Sequence, residues 1–243
     1  MLVDGYVACS HEIMNAYHEM KPVHLKKKHL AIIHNCVEIP NLQLSSDKIA
    51  EIRHQYNLGD HELILTNTGY FSKQKAQTDL LLAFKQVAVK RSDVRLIIVG
   101  WGPLEKELMQ LTTQLKLQDK VIFTGRLTRP QVFEILSITD LFVLSSHWEG
   151  FGIVLAEAMA FGKPVVSSDT DGSREVVENG KSGIIVPVND PQSFAETILH
   201  LLAKPDLMLQ MGQEGLQRVT KLFNCEQFIE GYETFYETVS STN

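Results

Sequence analysis

The feature that most constrains the fold is a regular alternation of short apolar runs with longer helical patterns, beginning near residue 62. Six runs are rich in Val, Ile, Leu or Phe and lack polar alternation, which is typical of parallel strands buried on both faces. These runs lie at 63–67, 94–99, 120–124, 140–145, 164–168 and 183–187. The helical patterns between them lie at 77–90, 103–116, 129–138, 152–161 and 173–178. This order predicts an α/β protein with a doubly wound parallel, Rossmann-like sheet.

The two ends of the chain differ from this central region. Three helices at 191–203, 205–221 and 225–239 form a predicted helical C-terminal tail. Residues 1–61 contain two predicted strands at 3–9 and 30–34, with helices near 10–20 and 46–57. The first strand begins at once, and a buried strand needs neighbours that satisfy its backbone groups. We therefore expect further structure upstream of it.

Composition excludes several classes of protein. The 243 residues are 44% hydrophobic and 21% charged, which is ordinary for a globular protein and unlike a disordered one. A formal net charge of −6 argues against nucleic-acid binding driven by net charge. No apolar run approaches the roughly 18 residues of a membrane span. The widely spaced Cys9, Cys36 and Cys225 indicate neither a disulfide framework nor a cysteine zinc site, and a reducing cytoplasm fits best.

The only basic cluster is Lys26-Lys27-Lys28-His29. We interpret it as a solvated loop. The alternative is a peripheral contact with an anionic membrane surface, to which each lysine would contribute only about 1 kcal/mol. No charged segment followed by a long apolar one opens the chain, so the sequence does not predict a signal peptide.

Glycine and polar residues follow five of the predicted strands. Open parallel sheets bind ligands beyond the carboxyl ends of their strands, so these segments predict a polar, backbone-rich crevice. The segments are 68–75, 100–103, 125–128, 146–152 and 169–173.

The fourth segment is the most informative. Gly150 and Gly152 flank Phe151 directly before a helical pattern, so a ligand can approach the free N–H groups at the helix start. That helix end carries a partial positive charge and suits a phosphate group. Glu149 and Glu157 lie eight positions apart without a base in the same short segment, and a sugar or polyol could take their hydrogen bonds. Two unrelated surface acids are the alternative interpretation.

These residues resemble a known family. The segment Ser146-x-x-Glu149-Gly150-Phe151-Gly152-x-x-x-x-Glu157-Ala158-Met159-Ala160-x-Gly162-x-Pro164-Val165-Val166 resembles the signature of retaining glycosyltransferase family 4, which has the GT-B fold. Further blocks that resemble the family occur in the same order, and the resemblance covers roughly residues 3 to 240. They are Ile33-x-Asn35-x-Val37-Glu38, Gly69 through Lys75, Val99-Gly100-x-Gly102-Pro103, Val121-x-Phe123-x-Gly125 and Asp171-Gly172-Ser173-x-Glu175-Val176-Val177.

The resemblance implies a division of the chain. Residues 1–35 would be the remnant of an N-terminal acceptor domain, and 36–61 a linker and helix. Residues 62–222 would form the Rossmann-like domain that binds a nucleotide sugar, and 223–243 a helix that crosses back. The remainder of the acceptor domain would then be a partner, either in cis or in a separate chain.

The resemblance also implies roles for single residues. Lys75 and Glu149 would be catalytic: Lys75 would pair with the diphosphate, and Glu149 would contact donor sugar hydroxyls. Glu157 would hold the ribose hydroxyls. The donor-binding set implied as a whole is Gly69, Tyr70, Gly100, Gly102, Arg126, Leu127, Gly150, Phe151, Gly152, Ile153 and Glu157, with Arg126 and Leu127 bordering the base.

This sequence departs from the family pattern at three places. Tyr70 stands where the family has Arg, Ala76 replaces a Gly, and Asn35-Cys36 replaces Asn-Gly. The lost Arg removes one of two cations expected on the diphosphate. By typical losses for one oriented donor, this could lower turnover by about 10²–10³ unless Lys73 or Arg126 compensates.

The leading hypothesis is the donor half of a retaining glycosyltransferase. It would transfer a hexosyl-type group from a nucleoside-diphosphate sugar to a glycan or lipid acceptor by front-side displacement, without a metal or other cofactor. One alternative is a nucleotide-sugar-binding module or subunit of a split enzyme, and a further one is a GT-B nucleotide-sugar epimerase.

Three side-chain interpretations complete the sequence analysis. We interpret His147 as a positioning or surface residue rather than a general base, and Trp101 either as a stacking partner of the base or as a lid on the sheet edge. The nine histidines have no carboxylate or cysteine at ligand spacing, so no metal site is expected.

Overall fold

The structure is a computed structural model that describes residues 4–19, 29–40 and 44–241. The lysines of the basic cluster lie outside these residues. Eight strands form a two-stranded and a six-stranded sheet. The strands are β1 Gly5–Ala8, β2 His29–Ile32, β3 Leu63–Thr68, β4 Val94–Val99, β5 Val121–Gly125, β6 Leu141–Leu144, β7 Val165–Ser168 and β8 Gly183–Val186.

Helices connect the strands and end the chain. They are α1 His11–Glu19, α2 Ser46–Gln55, α3 Gln77–Lys90, α4 Glu105–Gln114, α5 Arg129–Ile138, α6 Ile153–Ala160, α7 Asp171–Val176, α8 Pro191–Leu202, α9 Pro205–Leu222 and α10 Cys225–Ser240. The sequence prediction placed α7 two residues too late. The Thr170 hydroxyl accepts a hydrogen bond from the N–H of Ser173, and this cap fixes the start of the helix at Asp171.

The six-stranded sheet is wholly parallel and has the order β5-β4-β3-β6-β7-β8. The chain runs outward from β3 to one edge and then returns to build the other edge from β6. This is the strand order of a doubly wound fold, with its topological switch point between β3 and β6. The predicted sheet is confirmed, and the switch point marks where a ligand site is expected.

Both faces of this sheet are buried. Leu65, Leu96 and Val143 belong to one hydrophobic cluster, which α3 and α8 complete. The neighbouring strand positions Ile64 and Phe142 pack on the opposite face. Strand residues buried on both sides cannot alternate with polar ones, which is why the sequence shows continuous apolar runs. A Leu→Ala change at such a position costs about 2–5 kcal/mol of stability.

The N-terminal residues form a smaller unit beside this sheet. Strands β1 and β2 pair in parallel, and α10 packs against β2. The linker that follows β2 crosses next to the start of α10, where the Val37 N–H donates to the Phe223 carbonyl over 2.9 Å. The proposed domain boundaries stay a prediction.

Two cysteines that are far apart in the sequence meet at this crossing. Cys36 and Cys225 are both free, and burial together with the neighbouring Cys225 thiol raises the pKa of Cys36 to about 11. The wide sequence spacing gave no sign of this contact. Separately, none of the described helices combines the length and apolar character needed to cross a membrane.

Candidate functional site

Backbone hydrogen bonds join the carboxyl ends of three adjacent strands into one ledge. Gly69 donates to Val99 over 3.0 Å, and Gly100 donates to Gly125 over 3.1 Å. The loops after β3, β4 and β5 therefore approach one another closely. A Cβ on Gly100, whose φ is +143°, would lie 1.9 Å from the Gly69 carbonyl oxygen, so only glycine fits there.

The loop after β6, residues 145–152, borders the switch point and is called here the donor loop. It leads directly into α6, whose N-cap Gly152 has φ +79° and provides no side-chain cap. The first N–H groups of α6 therefore lack a capping side chain, and they carry the positive end of the helix dipole. Such a helix start is suited to an anionic group.

The two residues predicted to be catalytic are in direct contact. The Lys75 ammonium donates to Glu149 Oε1 over 2.5 Å, and the Ser146 hydroxyl donates to the same oxygen over 2.5 Å. The Glu149 side chain is only 7% exposed. The sequence argument looked for a basic residue only within the segment that holds Glu149 and Glu157. It therefore missed the contact between Glu149 and Lys75, because Lys75 lies in the β3–α3 connection.

The β3–α3 connection is bonded to the donor loop along its length. The Ser145 hydroxyl donates to the Ala76 carbonyl over 3.0 Å, and the His147 N–H donates to the Gln74 carbonyl over 2.8 Å. His147 Nε2 also lies 2.9 Å from a carboxylate oxygen of Asp79. These contacts support the interpretation of His147 as a positioning residue.

Ala76 occupies the position at which the resemblance leads one to expect glycine. Its φ of +47° is left-handed, a conformation that costs a residue with a Cβ about 1–2 kcal/mol. Ala76 therefore adopts a backbone conformation that glycine would adopt at a lower cost.

Glu157 lies one turn into α6 and is half buried. Burial raises the pKa of its carboxyl, and the Arg129 guanidinium opposes this shift. Within the described part of the chain its carboxylate makes no hydrogen bond, so its acceptor capacity is available to a ligand.

Aromatic side chains stand at the ends of β3 and β4. The Tyr70 and Trp101 rings are 4.9 Å apart and nearly perpendicular, and each residue is almost half exposed. Arg126 directly follows β5, and its guanidinium carbon lies 5.6 Å from the centre of the Trp101 ring. Trp101 thus contacts neighbouring side chains at the sheet edge, and the choice between base stacking and a lid stays open.

The other predicted donor-binding residues occupy the same edge. Gly102 is tightly packed on the Phe71 backbone, Leu127 is half buried and Ile153 is 39% exposed. Phe151 is only 4% exposed. Its ring therefore packs inside the protein, and the backbone around it is the part that can face a ligand.

A second polar cluster was missed by the sequence analysis. Glu175 Oε1 lies 2.7 Å from His11 Nδ1 and 2.5 Å from His34 Nε2. Glu175 lies 164 positions from His11 and 141 positions from His34 in the sequence, so no local spacing could indicate that it meets them. The sequence analysis considered only carboxylates and cysteines at ligand spacing in the sequence, so it did not identify Glu175 as a partner of the two histidines.

Several known proteins have sequences similar to this one. The family described as "Glycosyl transferases group 1" matches residues 48–218. The N-acetyl-alpha-D-glucosaminyl L-malate synthase of Bacillus anthracis is 32% identical over 237 residues, which cover 97% of this chain and 60% of the relative. A GDP-mannose-dependent alpha-(1-6)-phosphatidylinositol monomannoside mannosyltransferase of Mycobacterium tuberculosis is 29% identical over 178 residues, with 70% of this chain and 46% of the relative covered.

Solved structures share the fold. Anabaena Alr3699/HepE in complex with UDP-glucose has a TM-score of 0.86 at 24% identity, covering 99% of this chain and 64% of that one. Sucrose-phosphate synthase from Thermosynechococcus elongatus also has a TM-score of 0.86, at 26% identity, covering 100% and 60%. These similarities confirm the predicted α/β fold of the GT-B type. The chain spans about 60% of the length of the first of these relatives. By the match over most of its length, the chain belongs to the group 1 glycosyltransferase family.

Proposed function

We propose that this chain is the donor-binding part of a retaining, metal-independent glycosyltransferase of family 4. It would bind a nucleoside-diphosphate sugar and transfer a hexosyl-type group to a glycan or lipid acceptor. The observation that carries the proposal is the buried Lys75–Glu149 pair at the switch point, beside the uncapped start of α6. Together these groups supply a cation, oriented N–H donors and a carboxylate where a phosphate and a sugar could meet.

The donor would lie along the ledge formed by the strand ends. The α6 N–H groups and Lys75 would bind the diphosphate, since both present positive charge. A helix start contributes about 0.3–1 kcal/mol when exposed and up to about 2 kcal/mol when partly buried. Glu157 would accept hydrogen bonds from the ribose hydroxyls, and Arg126 with Leu127 would border the base. The crystal structure of Anabaena Alr3699/HepE contains UDP-glucose, which supports a UDP-sugar as the first donor to test.

The transfer step would break the bond between the anomeric carbon and the phosphate oxygen. Negative charge develops on the departing diphosphate, and Lys75 and the α6 N–H groups would stabilise it. The acceptor hydroxyl would form the new bond on the same face of the sugar, and its proton would pass to the departing phosphate oxygen. Glu149 would accept hydrogen bonds from the sugar hydroxyls and hold the Lys75 ammonium in place.

A binding module or a subunit of a split enzyme is the second candidate. It is favoured by Tyr70, because an aromatic ring packed on Trp101 replaces a cation that the diphosphate would use. In either case, the remainder of an acceptor domain would be supplied in cis or by a separate chain.

Thermal melting with UDP, GDP and ADP tests donor binding. We expect one nucleotide to raise the melting temperature and Glu157→Ala to abolish the rise. Glu107→Ala is a matched control, because Glu107 is an exposed glutamate on another helix of the same sheet domain. No rise with any of the three nucleotides would contradict the donor site. A second assay measures transfer of labelled sugar by this chain alone. A rate above that of the Glu149→Ala variant would exclude a binding module that has no catalytic activity of its own.

A further inference from the structure

Two imidazoles from separate segments converge on one carboxylate outside the donor loop. His11 is the first residue of α1, His34 lies in the linker after β2, and Glu175 lies on α7. Glu175 Oε1 is within 2.7 Å of His11 Nδ1 and within 2.5 Å of His34 Nε2. The three potential ligand atoms all lie within 4.8 Å of one another. This cluster joins the N-terminal unit to the sheet domain.

These side chains are held in place by their surroundings. The His34 ring stacks on Phe151 at 5.8 Å between centres and meets Phe223 edge-on at 5.5 Å. The Glu175 carbonyl accepts a hydrogen bond from Arg218 over 2.9 Å, which fixes the backbone that carries the carboxylate. Contacts of this kind orient the ligands of metal sites before the ion arrives.

The charge around the cluster favours a cation. Glu12, Glu19 and Asp171 line the same surface pocket as His11 and Glu175, so acids are concentrated at this surface. Arg174 offsets part of that charge through its ion pair with Asp171. A bound cation would relieve the remaining repulsion between the acids.

We propose that His11, His34 and Glu175 form a binding site for a divalent first-row transition ion, with Zn²⁺ as the reference case. Two imidazole nitrogens and one carboxylate oxygen are a ligand set that Zn²⁺, Co²⁺ and Ni²⁺ accept. The His11 side chain is 68% exposed, which leaves room for water as the fourth ligand. The ion would be structural, tying α1 and the linker to α7, so the proposal does not depend on the donor site.

Binding requires a small rearrangement. Ligands about 2.0–2.2 Å from a tetrahedral ion are about 3.3–3.6 Å apart. The hydrogen-bonded atoms are now 2.7 and 2.5 Å apart, so they would separate by roughly 0.6–1.1 Å. Each coordinating nitrogen gives up its proton, which moves to the other ring nitrogen or to solvent. The exposed position of His11 allows this movement without disturbing the core.

Because His34 stacks on Phe151, the ion would also stabilise the donor loop. The expected effect is a rise in melting temperature of about 5–11 °C when the free ion concentration is about a hundred times the dissociation constant. Chelation should reverse the rise.

The test is a titration of the chelator-treated 243-residue chain with Co²⁺ and then Zn²⁺. We expect one equivalent of Co²⁺ to give the visible absorption of a four-coordinate ion and Zn²⁺ to displace it. His11→Ala and Glu175→Gln should each lower the affinity at least tenfold. His18→Ala is the matched control, because His18 is an exposed histidine on the same helix.

His34→Ala is not the primary variant, since loss of its ring contacts could itself impair folding. An absorption band that survives in both His11→Ala and Glu175→Gln would overturn the proposal. So would a wild-type chain that binds Co²⁺ no more tightly than His11→Ala. If Glu175→Gln lowered the melting temperature while the wild type bound no ion, the cluster would be a hydrogen-bonded clamp, and the metal site would be refuted.

Discussion

Removal of the Lys75 ammonium would leave the Glu149 carboxylate buried without its cation. Lys75→Met keeps the length and much of the volume of the side chain while it removes the charge. The side chains are 18% exposed for Lys75 and 7% exposed for Glu149, so water cannot fully replace the lost partner. The Ser146 hydroxyl would remain as a donor to the same oxygen.

The size of the effect follows from this burial. Removing one partner of a buried ion pair costs about 3–5 kcal/mol. Because Ser146 remains and Lys75 is slightly exposed, we expect Lys75→Met to lower the free energy of unfolding by about 3 kcal/mol. For a chain of this length, that corresponds to a fall in melting temperature of about 6–12 °C.

A double-mutant cycle isolates the interaction between the two side chains. Lys75→Met combined with Glu149→Gln removes both charges, so the double variant should be more stable than the sum of the single effects predicts, by about 1–3 kcal/mol. Urea unfolding of the four proteins measures this directly.

Lys48→Met provides the control. Lys48 pairs with Glu51, whose side chain is 67% exposed, and such surface pairs contribute at most about 1 kcal/mol. The reasoning would be refuted if Lys75→Met lowered the free energy of unfolding by less than about 1 kcal/mol and if the effects of Lys75→Met and Glu149→Gln were additive in the double variant.

Three further predictions concern the donor loop, α6 and the linker. Since burial raises the pKa of Glu157, acidification should weaken nucleotide affinity at a higher pH than for an ordinary glutamate, and Glu157→Gln should remove that step in a calorimetric pH series. Gly172→Ala would place a Cβ 2.4 Å from a donor-loop carbonyl oxygen and should weaken nucleotide binding, whereas Gly125→Ala meets no atom within 4 Å and should cost only about 1 kcal/mol in unfolding. Because the pKa of Cys36 is raised to about 11, iodoacetamide at pH 8 should modify the exposed Cys225 first, as peptide mass spectrometry would show. Equal rates of modification at Cys36 and Cys225 would contradict the raised pKa of the Cys36 thiol.

Local sequence patterns were enough to predict the sheet. Strands such as Val94–Val99 are apolar apart from one residue, Arg95, because helices cover both faces, and that signal needs no knowledge of distant residues. The donor loop could also be predicted from local sequence, since Gly152 directly precedes the apolar pattern of α6. The start of α7 was misplaced because the Thr170 cap is a single side-chain hydrogen bond within a polar segment.

The side-chain partners could not be predicted in the same way. Lys75 and Glu149 meet because β3 and β6 are neighbours across the switch point, and strand order is a property of the assembled sheet. His34 and Glu175 likewise come together only when the linker is laid against α7. Contacts between residues so far apart in sequence leave no periodic trace.

The bond between Val37 and Phe223 has a mechanical consequence. It places the two covalent passages between the N-terminal unit and the sheet domain side by side. This hydrogen bond holds the two passages together, so the N-terminal unit and the sheet domain cannot slide past each other at this place unless the bond breaks. Any reorientation of the N-terminal unit relative to the sheet domain would therefore have to turn about this bond or break it. It would also have to break the contacts of Glu175 with His11 and His34.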